Sequence, residues 1–296
     1  QHVHMDDPVI ARADGSVLYN FAVAVDDLDA GITHVIRGED HLSNTPKQLL
    51  VLEALGAQPP IYAHLPLLHG PDGKKLSNRH GAASVQELRD AGYLPEAVRN
   101  YLALLGWGDA DDETLISTDE LVKRFRIERV SRNPAQFDEQ KLRWMNGRYM
   151  RELGTDEITR RLEDHLSHPP RSGLRDAVAI SEEKIQTLAD FWPLAGFIFD
   201  GPADDPAARE KWLSDGGREA LAAARAALED IQPFDTEHIE QALRGVVQAR
   251  DAKPKDVFQP VRVALAGTTV SPGIFETLEV LGRDESLARI DAALRT

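Results

Sequence analysis

The chain has 296 residues, with 34 basic and 49 acidic side chains and a formal net charge of −15, a length that suggests about two or three domains. It contains no cysteine, which excludes disulfides, thiolate catalysis and Cys-ligated zinc. No apolar stretch of about 18 residues occurs, so no membrane span is expected, and so acidic a chain binds nucleic acid only where its basic residues are segregated.

The first elements in chain order follow an α/β pattern. Residues 17–25 and 32–36 are nearly continuous apolar runs, which predict two strands of a parallel sheet covered on both faces. Thr45 then suits the N-cap of a helix and Pro46 its first position. Gly56 suits the residue just after the last turn of this helix.

Polar residues follow the second predicted strand directly, at positions 37–41. Ligands of open α/β sheets bind at the carboxyl ends of the strands, which is where this segment falls. Arg37 can form two parallel hydrogen bonds with a carboxylate there. The alternative for Arg37 is an internal salt bridge to Glu39 or Asp40.

A third strand, Tyr62–Leu68, is predicted to lead into a basic loop at residues 72–81 with the sequence DGKKLSNRHG. The Asp72-Gly73 pair predicts a tight turn. The loop then presents three cations and a hydroxyl, on Lys74, Lys75, Arg79 and Ser77. Such a loop can cover a polyphosphate and neutralise the charge that develops as phosphate is displaced. The alternative is a solvated, lysine-rich surface turn.

The remaining pattern is helical. Apolar residues between positions 88 and 105 predict two amphipathic helices broken near Gly92 and Pro95, and short helices are expected up to about Tyr149. Further helices are predicted at 155–165, 182–199, 216–231 and 236–249, with loops at 167–173 and 201–206.

Positive charge is concentrated in residues 123–151. Nine basic side chains stand there against three acidic ones, and such a stripe is expected to contact phosphates with salt-sensitive affinity. The alternative is a solvated helix face. The basic residues are Lys123, Arg124, Arg126, Arg129, Arg132, Lys141, Arg143, Arg148 and Arg151.

An ordered series of motifs resembles the glutamyl-tRNA synthetases, a family of class I aminoacyl-tRNA synthetases. The segment KLSNR at 75–79 resembles the KMSKS signature of that class. The other motifs are YNFAVAVDD at 19–27, GITHVIRGEDHLSNTP at 31–46, GYLPEA at 92–97, NYLALLGW at 100–107, FD at 137–138 and KLRWMNG at 141–147.

The chain departs from this family in two places. Asn78 stands where the KMSKS signature has its second lysine, and no HIGH-type signature, His-x-Gly-His, occurs. The resemblance therefore implies the carboxy-terminal part of a longer enzyme, lacking the HIGH-containing half and inactive by itself.

The resemblance implies an α/β plus all-α fold, with the second half of a Rossmann-type catalytic domain, a helical stem-contact region and a helical anticodon-binding domain. The expected limits are 1–18 for the end of an inserted acceptor-binding domain, 19–73 for the Rossmann half, 74–154 for the KMSKS-type loop and stem-contact domain, and 155–296 for the anticodon-binding domain, split near 212.

The resemblance also implies roles for individual residues. Glutamate is expected to contact Tyr19, Arg37, Asp40 and His41; the alternatives are a core aromatic for Tyr19 and a capping or packing role for His41. ATP is expected to contact Leu67, Leu68, Lys74, Lys75 and Asn78. The activation step is expected to use Lys75, Ser77, Asn78 and Arg79, and tRNA to contact Arg132, Lys141, Arg143 and Arg148.

The activity implied is that of a glutamate–tRNA ligase. ATP activates L-glutamate to glutamyl-adenylate, from which glutamate passes to tRNA(Glu). Mg²⁺ is expected to accompany ATP, with no zinc or other metal site, no membrane partner, a monomeric state and a cytoplasmic location. Two alternatives stay open: an enzyme that charges both tRNA(Glu) and tRNA(Gln), and a non-catalytic tRNA-binding paralogue, for which Asn78 is the main argument.

Overall fold

The computed structural model describes residues 7–76, 84–108, 113–166 and 171–295. Two compact units are formed, residues 1–83 with 102–138 and residues 84–101 with 139–296. Within the described ranges, no helix is long and apolar enough to cross a membrane.

The elements comprise two strands, β1 (His34–Gly38) and β2 (Ile61–Leu65), and a series of helices. The helices are α1 (Tyr19–Asp29), α2 (Thr45–Ala54), α3 (Val85–Asp90), α4 (Pro95–Leu104), α5 (Thr118–Arg124), α6 (Glu139–Leu153), α7 (Thr155–Leu166), α8 (Leu174–Ala179), α9 (Phe191–Ala195), α10 (Phe197–Asp200), α11 (Pro206–Trp212), α12 (Asp215–Glu229), α13 (Thr236–Ala249), α14 (Pro254–Ala266), α15 (Ile274–Leu281) and α16 (Arg283–Arg295).

A small parallel sheet and two helices form the first part of the first unit. β1 pairs with β2 in a register that sets His34 opposite Ile61 and Gly38 opposite Leu65. The predicted second and third strands are therefore confirmed, with limits shifted by a few residues. Helix α2 follows β1 as predicted, although its cap is Asn44 and Thr45 is already helical.

The strand predicted at residues 17–25 is wrong, because helix α1 occupies this segment from Tyr19 onward. Ala24 of α1 is buried with Val51 and Leu52 of α2, and Phe21 packs against them. Phe21 and Ala24 are three residues apart, the spacing of one helix face. A short apolar run does not by itself distinguish a strand from a helix, so packing against α2 decides the outcome here.

The second unit is helical, and its described residues form two hydrophobic cores. One core is built mainly by α4, α6, α7, α8 and α9, and the other by α11–α16. The two helices predicted around Gly92 and Pro95 are confirmed as α3 and α4, and the helix predicted at 236–249 is confirmed as α13. Together with the sheet, these helices confirm the mixed α/β plus all-α fold class.

Two predictions for the helical region need correction. The helix predicted at 182–199 is a turn followed by a 3₁₀ turn and the short helices α9 and α10. Asp190 accepts hydrogen bonds from the backbone N–H groups of Gln186 and Thr187, which holds the chain in a non-helical cap. Of the short helices expected up to about Tyr149, α5 is confirmed with seven residues, but the last element is the 15-residue helix α6, which continues to Leu153.

Candidate functional site

Arg37 lies at the carboxyl end of β1, where its guanidinium is held by the first turns of α2. Its Nη2 donates to Thr45 Oγ1 at 2.8 Å and to Gln48 Oε1 at 2.9 Å. The guanidinium carbon lies 5.4 Å from the ring centroid of Tyr62 on β2. The strand and the helix together therefore set the direction in which Arg37 points.

The partners of Arg37 are themselves fixed by neutral groups. Gln48 is only 1% exposed, and its Nε2 donates to Asn20 Oδ1 at 3.1 Å. Thr45 Oγ1 lies 2.9 Å from His64 Nε2 on β2. Side chains of α1, α2 and β2 thus hold the guanidinium in one orientation. This limits the conformational entropy that Arg37 loses when a ligand binds.

No carboxylate neutralises Arg37 within the described part of the chain. The alternative salt bridge to Glu39 or Asp40 is therefore not formed. Both hydrogens of Nη2 are used by Thr45 and Gln48, while the buried Nε has no hydrogen-bond partner. The structure consequently holds an oriented positive charge whose Nη1 donors can serve an anionic ligand.

The basic loop begins as a short hairpin next to this strand end. His69 pairs with Lys75 across the hairpin, and Gly70 N donates to Lys74 O at 2.8 Å. The predicted turn is confirmed: Gly73 has φ of +72°, and Asp72 Oδ1 accepts from Lys74 N at 3.0 Å. Gly73 occupies the left-handed conformation that a side chain would disfavour.

An ion pair joins the hairpin to the end of β1. Lys75 Nζ donates to Asp40 Oδ2 at 3.1 Å, and this hydrogen bond holds the pKa of Asp40 below its ordinary value. Because both side chains are largely exposed, the pair contributes little stability. The pair matters because it places the hairpin beside the end of β1, where Asp40 lies three positions after Arg37.

The other predicted glutamate contacts surround the same strand end. Tyr19 is 54% exposed, so it is not a core aromatic, and its ring centroid lies 6.2 Å from that of His41. His41 Nδ1 lies 3.2 Å from Asn44 Nδ2 at the start of α2. The structure therefore brings Tyr19, Arg37, Asp40 and His41 to one edge of the sheet.

Some of the predicted ATP and activation residues lie in the described part of the chain, and the others do not. The backbone N–H of Leu67 donates to Glu39 Oε1 at 3.3 Å, so a ligand that needs this donor must displace Glu39. Leu68 O accepts from Leu76 N at the base of the hairpin. The predicted residues Ser77, Asn78 and Arg79 lie outside the described residues.

The predicted basic stripe is divided between the two compact units. Its first part, 123–138, belongs to the first compact unit and its second part, 139–151, to the second. Acidic residues outside the stripe also pair with three of its cations: Lys123 with Glu120, Arg124 with Glu113 and Glu120, and Arg143 with Asp190. The nine-to-three excess along the sequence therefore overstates the local positive charge.

The four predicted tRNA contacts differ in their surroundings. Arg143 Nη2 donates to both carboxylate oxygens of Asp190, at 2.6 and 2.7 Å, which favours a structural role in the second unit. Arg132, Lys141 and Arg148 are exposed. Burial by itself would raise the pKa of Asp190, but hydrogen bonds from Arg143 and from backbone N–H groups outweigh it and keep this pKa below the ordinary value.

Sequence reasoning missed the residues that hold Arg37. Thr45 and Gln48 are three positions apart on α2, so they share a helix face, and Asn20 directly follows Tyr19. An arginine at a strand end needs several hydrogen-bond acceptors. Thr45 and Gln48 are the signal in the sequence, because they are polar residues at helical spacing in the next element. No local signal identifies Asn20 or His64, because they come from other elements.

Comparison with known families separates the chain into two matched regions. Residues 1–144 match the family described as tRNA synthetases class I (E and Q), catalytic domain. Residues 157–294 match the family described as anticodon binding domain.

Curated relatives match over nearly the whole chain. Glutamate–tRNA ligase 2 of Rhodospirillum rubrum is 45% identical over 295 residues, covering 97% of this chain and 63% of that protein. The glutamate–tRNA ligase of Moorella thermoacetica is 39% identical over 307 residues, covering 100% of this chain and 63% of that protein. The chain thus spans about 63% of the length of these relatives.

Solved structures of glutamate–tRNA ligases are also similar to this chain over nearly its whole length. A glutamate tRNA ligase from Elizabethkingia meningosepticum, in complex with its amino acid, has a TM-score of 0.79 and 28% identity, covering 99% of this chain and 62% of that one. Glutamate-tRNA synthetase from Elizabethkingia anophelis has a TM-score of 0.75 and 28% identity.

Proposed function

Because residues 1–144 match the class I tRNA synthetases of the E and Q group and curated glutamate–tRNA ligases match nearly the whole chain, we propose that the protein containing it is a glutamate–tRNA ligase. It activates L-glutamate with ATP and transfers the glutamyl group to tRNA(Glu). One observation carries the proposal: an arginine without a carboxylate partner among the described residues lies three positions before the aspartate that pairs with the lysine hairpin.

Arg37 recognises the side-chain carboxylate of glutamate. A guanidinium held by neutral partners retains its full charge for the ligand, and charge-assisted hydrogen bonds are roughly twice as strong as neutral ones. A glutamine side chain lacks the negative charge, so the same site favours glutamate. The exposed ring of Tyr19 and the side chains of Asp40 and His41 line the same edge and contact the rest of the amino acid.

The hairpin residues hold ATP, which enters with Mg²⁺ as part of the substrate. Lys74, Lys75 and Arg79 neutralise the phosphates, and the neutral side chains of Ser77 and Asn78 donate hydrogen bonds to them. Leu67 and Leu68 offer backbone groups to adenine. The α-carboxylate of glutamate attacks the α-phosphate, forming a new carboxyl–phosphate bond as the bond to the β-phosphate breaks and pyrophosphate leaves. The protein contributes by positioning both substrates and stabilising the phosphoryl charge.

In the second step, a hydroxyl of the terminal ribose of tRNA attacks the carbonyl of glutamyl-adenylate and AMP leaves. The stem-contact region, 74–154, approaches the tRNA with Arg132, Lys141, Arg143 and Arg148, and the helical region 155–296 binds the anticodon. Because ATP, glutamate and tRNA meet in the cytoplasm, this is the compartment we propose, with the protein acting as a monomer.

A second candidate is a tRNA-binding protein without catalytic activity. Asn78 supports it, because an asparagine removes one of the positive charges that the KMSKS-type loop would bring to the phosphates. Under this candidate the helical region still binds tRNA, whereas ATP and glutamate are not consumed.

The test is aminoacylation by the full-length product of the gene that encodes this chain. Labelled glutamate and labelled glutamine are each offered with ATP and with tRNA(Glu) or tRNA(Gln) transcripts. We expect glutamate on tRNA(Glu); glutamate on both tRNAs identifies the form that charges both. Charging with glutamine alone overturns the proposal, and tRNA binding without charging supports the second candidate. Arg37→Gln is the control, and it should raise the KM for glutamate more than the KM for ATP.

A further inference from the structure

His64 on β2 lies directly opposite Arg37 on β1 in the parallel register. Paired residues of neighbouring strands place their side chains on the same face of a sheet, and both side chains meet at Thr45. Arg37 Nη2 donates to Thr45 Oγ1 at 2.8 Å, and His64 Nε2 lies 2.9 Å from the same oxygen. Thr45, which is 9% exposed, thus links the histidine to Arg37.

The Thr45 hydroxyl has one proton to donate. Two acceptors among the described residues lie near it, His64 Nε2 at 2.9 Å and His41 O at 3.5 Å. A contact of 3.5 Å is long for a hydroxyl donor, so His64 Nε2 is the better acceptor. This nitrogen accepts a hydrogen bond only when the imidazole is neutral and carries its proton on Nδ1.

The opposite arrangement, in which His64 donates from Nε2, is less favourable. The Thr45 oxygen would then accept from both Arg37 and His64, and its own proton would keep only the long contact to His41 O. A doubly protonated His64 would also place a second positive charge beside Arg37 on the same face of the sheet. When His64 accepts instead, the Thr45 hydroxyl is polarised and becomes a stronger acceptor for Arg37.

We propose that His64 is a positioning residue for glutamate recognition: its neutral imidazole accepts from Thr45 through Nε2 and thereby fixes the hydroxyl that holds Arg37. The inference rests on the proposed function, in which Arg37 binds the side-chain carboxylate of glutamate. The second partner of Arg37 is oriented in the same sense, because Gln48 Nε2 donates to Asn20 Oδ1 and its Oε1 is directed at Arg37. Acceptors therefore hold Nη2 from both sides.

The state of the imidazole is measured by ¹⁵N NMR of the full-length gene product labelled at histidine, at about pH 8, where an ordinary histidine is neutral. His64→Gln identifies the signals of His64 by their disappearance. We expect a protonated Nδ1 and an unprotonated, hydrogen-bonded Nε2. A proton on Nε2 overturns the inference. This measurement needs no substrate, so its result does not depend on the proposed function.

Aminoacylation of tRNA(Glu) by the same protein measures the KM values for glutamate and ATP. His64→Leu deprives the Thr45 proton of its acceptor and should raise the KM for glutamate about fivefold, with little change in kcat or in the KM for ATP. His64→Gln brings an amide oxygen close to the position of Nε2 and should restore most of the affinity. The matched control is His34→Leu, because His34 lies at the start of β1 and contacts its neighbour Thr33. This control should leave both KM values unchanged.

A double-variant cycle with Thr45→Val distinguishes positioning from general support of the sheet. If His64 acts through Thr45, adding His64→Leu to Thr45→Val should raise the KM for glutamate little further. Independent rises that multiply overturn the inference, as do equal rises in His64→Leu and His64→Gln. A wild type that does not charge tRNA with glutamate overturns the proposed function and with it the role of His64. A wild type that charges tRNA but carries a proton on Nε2 overturns this inference alone.

Discussion

At the scale of single residues, the central feature is that Arg37 is held by neutral partners. Thr45, Gln48 and Tyr62 direct its guanidinium without neutralising it. An internal carboxylate would make a stronger bond with the arginine, but it would also compete with a carboxylate ligand. With neutral partners for Arg37, the free protein is therefore less stable than it would be with an internal carboxylate, but the charge of Arg37 remains available for binding.

This reasoning predicts the effect of Gln48→Glu. The new carboxylate would lie within hydrogen-bond distance of Arg37 and pair with it, so the KM for glutamate should rise about tenfold or more in the full-length gene product. The KM for ATP should change little, because the ATP residues belong to the hairpin. Steady-state ATP–pyrophosphate exchange at varied glutamate and ATP measures both constants.

Gln48→Met is the matched control, since it removes the same acceptor without adding a charge. It should raise the KM for glutamate less than Gln48→Glu does. Equal effects of the two substitutions would mean that orientation, and not the free charge of Arg37, governs glutamate binding.

At the scale of elements, the turn between α3 and α4 shows how closely two backbones approach in the second unit. Gly92 has φ of +79°, and its carbonyl oxygen accepts from Leu188 N at 3.0 Å. A Cβ at this position would lie 2.5 Å from the backbone nitrogen of Ala189. Both the backbone conformation and the close approach therefore require glycine.

Replacing Gly92 by alanine should consequently lower the free energy of unfolding of the second unit by more than the conformational cost alone. That cost is about 1–2 kcal/mol for a left-handed residue, and the overlap with backbone atoms should add about 1–3 kcal/mol. Gly154→Ala is the control, because Gly154 has φ of +76° but no atom within 4 Å of the added Cβ. Urea unfolding measures both, and equal losses would contradict the steric argument.

The carboxyl groups that pair with Arg161, Glu96 on α4 and Glu157 on α7, both have lowered pKa values. Arg161 of α7 donates to both oxygens of Glu96 on α4, each at 2.9 Å, and to Glu157 at 2.7 Å. Hydrogen bonds from Arg160 and Arg161 lower the pKa of Glu157 from its ordinary value of 4.5 to about 2. A lowered folded-state pKa stabilises the protein above the unfolded pKa, and that stabilisation disappears as the pH falls.

We therefore expect Glu157→Gln to be less stable than the wild type at pH 6 and equally stable near pH 2. The difference in unfolding free energy should shrink between about pH 4.5 and pH 2, the two pKa values of this carboxyl. Urea unfolding at a series of pH values measures it. Because Glu157 is only partly buried, the effect should also weaken in high salt, and a difference that is constant across this pH range would exclude the carboxyl as its source.

At the scale of the whole molecule, the two units bury apolar side chains to different extents. Of 19 exposed large hydrophobic residues in the described parts, 12 fall between Val9 and Leu65, including Ile36, Leu42 and Ile61. The core around α1 and α2 contains three buried residues, whereas the core of α11–α16 contains 17. Hydrophobic burial is the main favourable term in folding, so the sheet region is the less stable one.

Hydrogen exchange should reveal this difference in the isolated chain. Amides of β1, β2, α1 and α2 should exchange at least about tenfold faster, relative to their intrinsic rates, than amides in the centres of α12–α14. Mass spectrometry of peptides from a native-state exchange series measures both sets together. Uniform protection in the two units would show that the sheet region is as stable as the helical cores.

The sequence by itself determined the order of the motifs, the Asp72-Gly73 turn, the approximate positions of β1 and β2 and the limits of α13. All of these depend on residues close together in the chain, through periodicity, turn chemistry or capping. Only the tertiary structure decided that residues 19–29 form a helix and that Asn20, 28 positions from Gln48, holds the partner of Arg37. It also showed that Asp190, 47 positions away, pairs with Arg143 of the basic stripe, because electrostatic and packing partners are determined by distance in space.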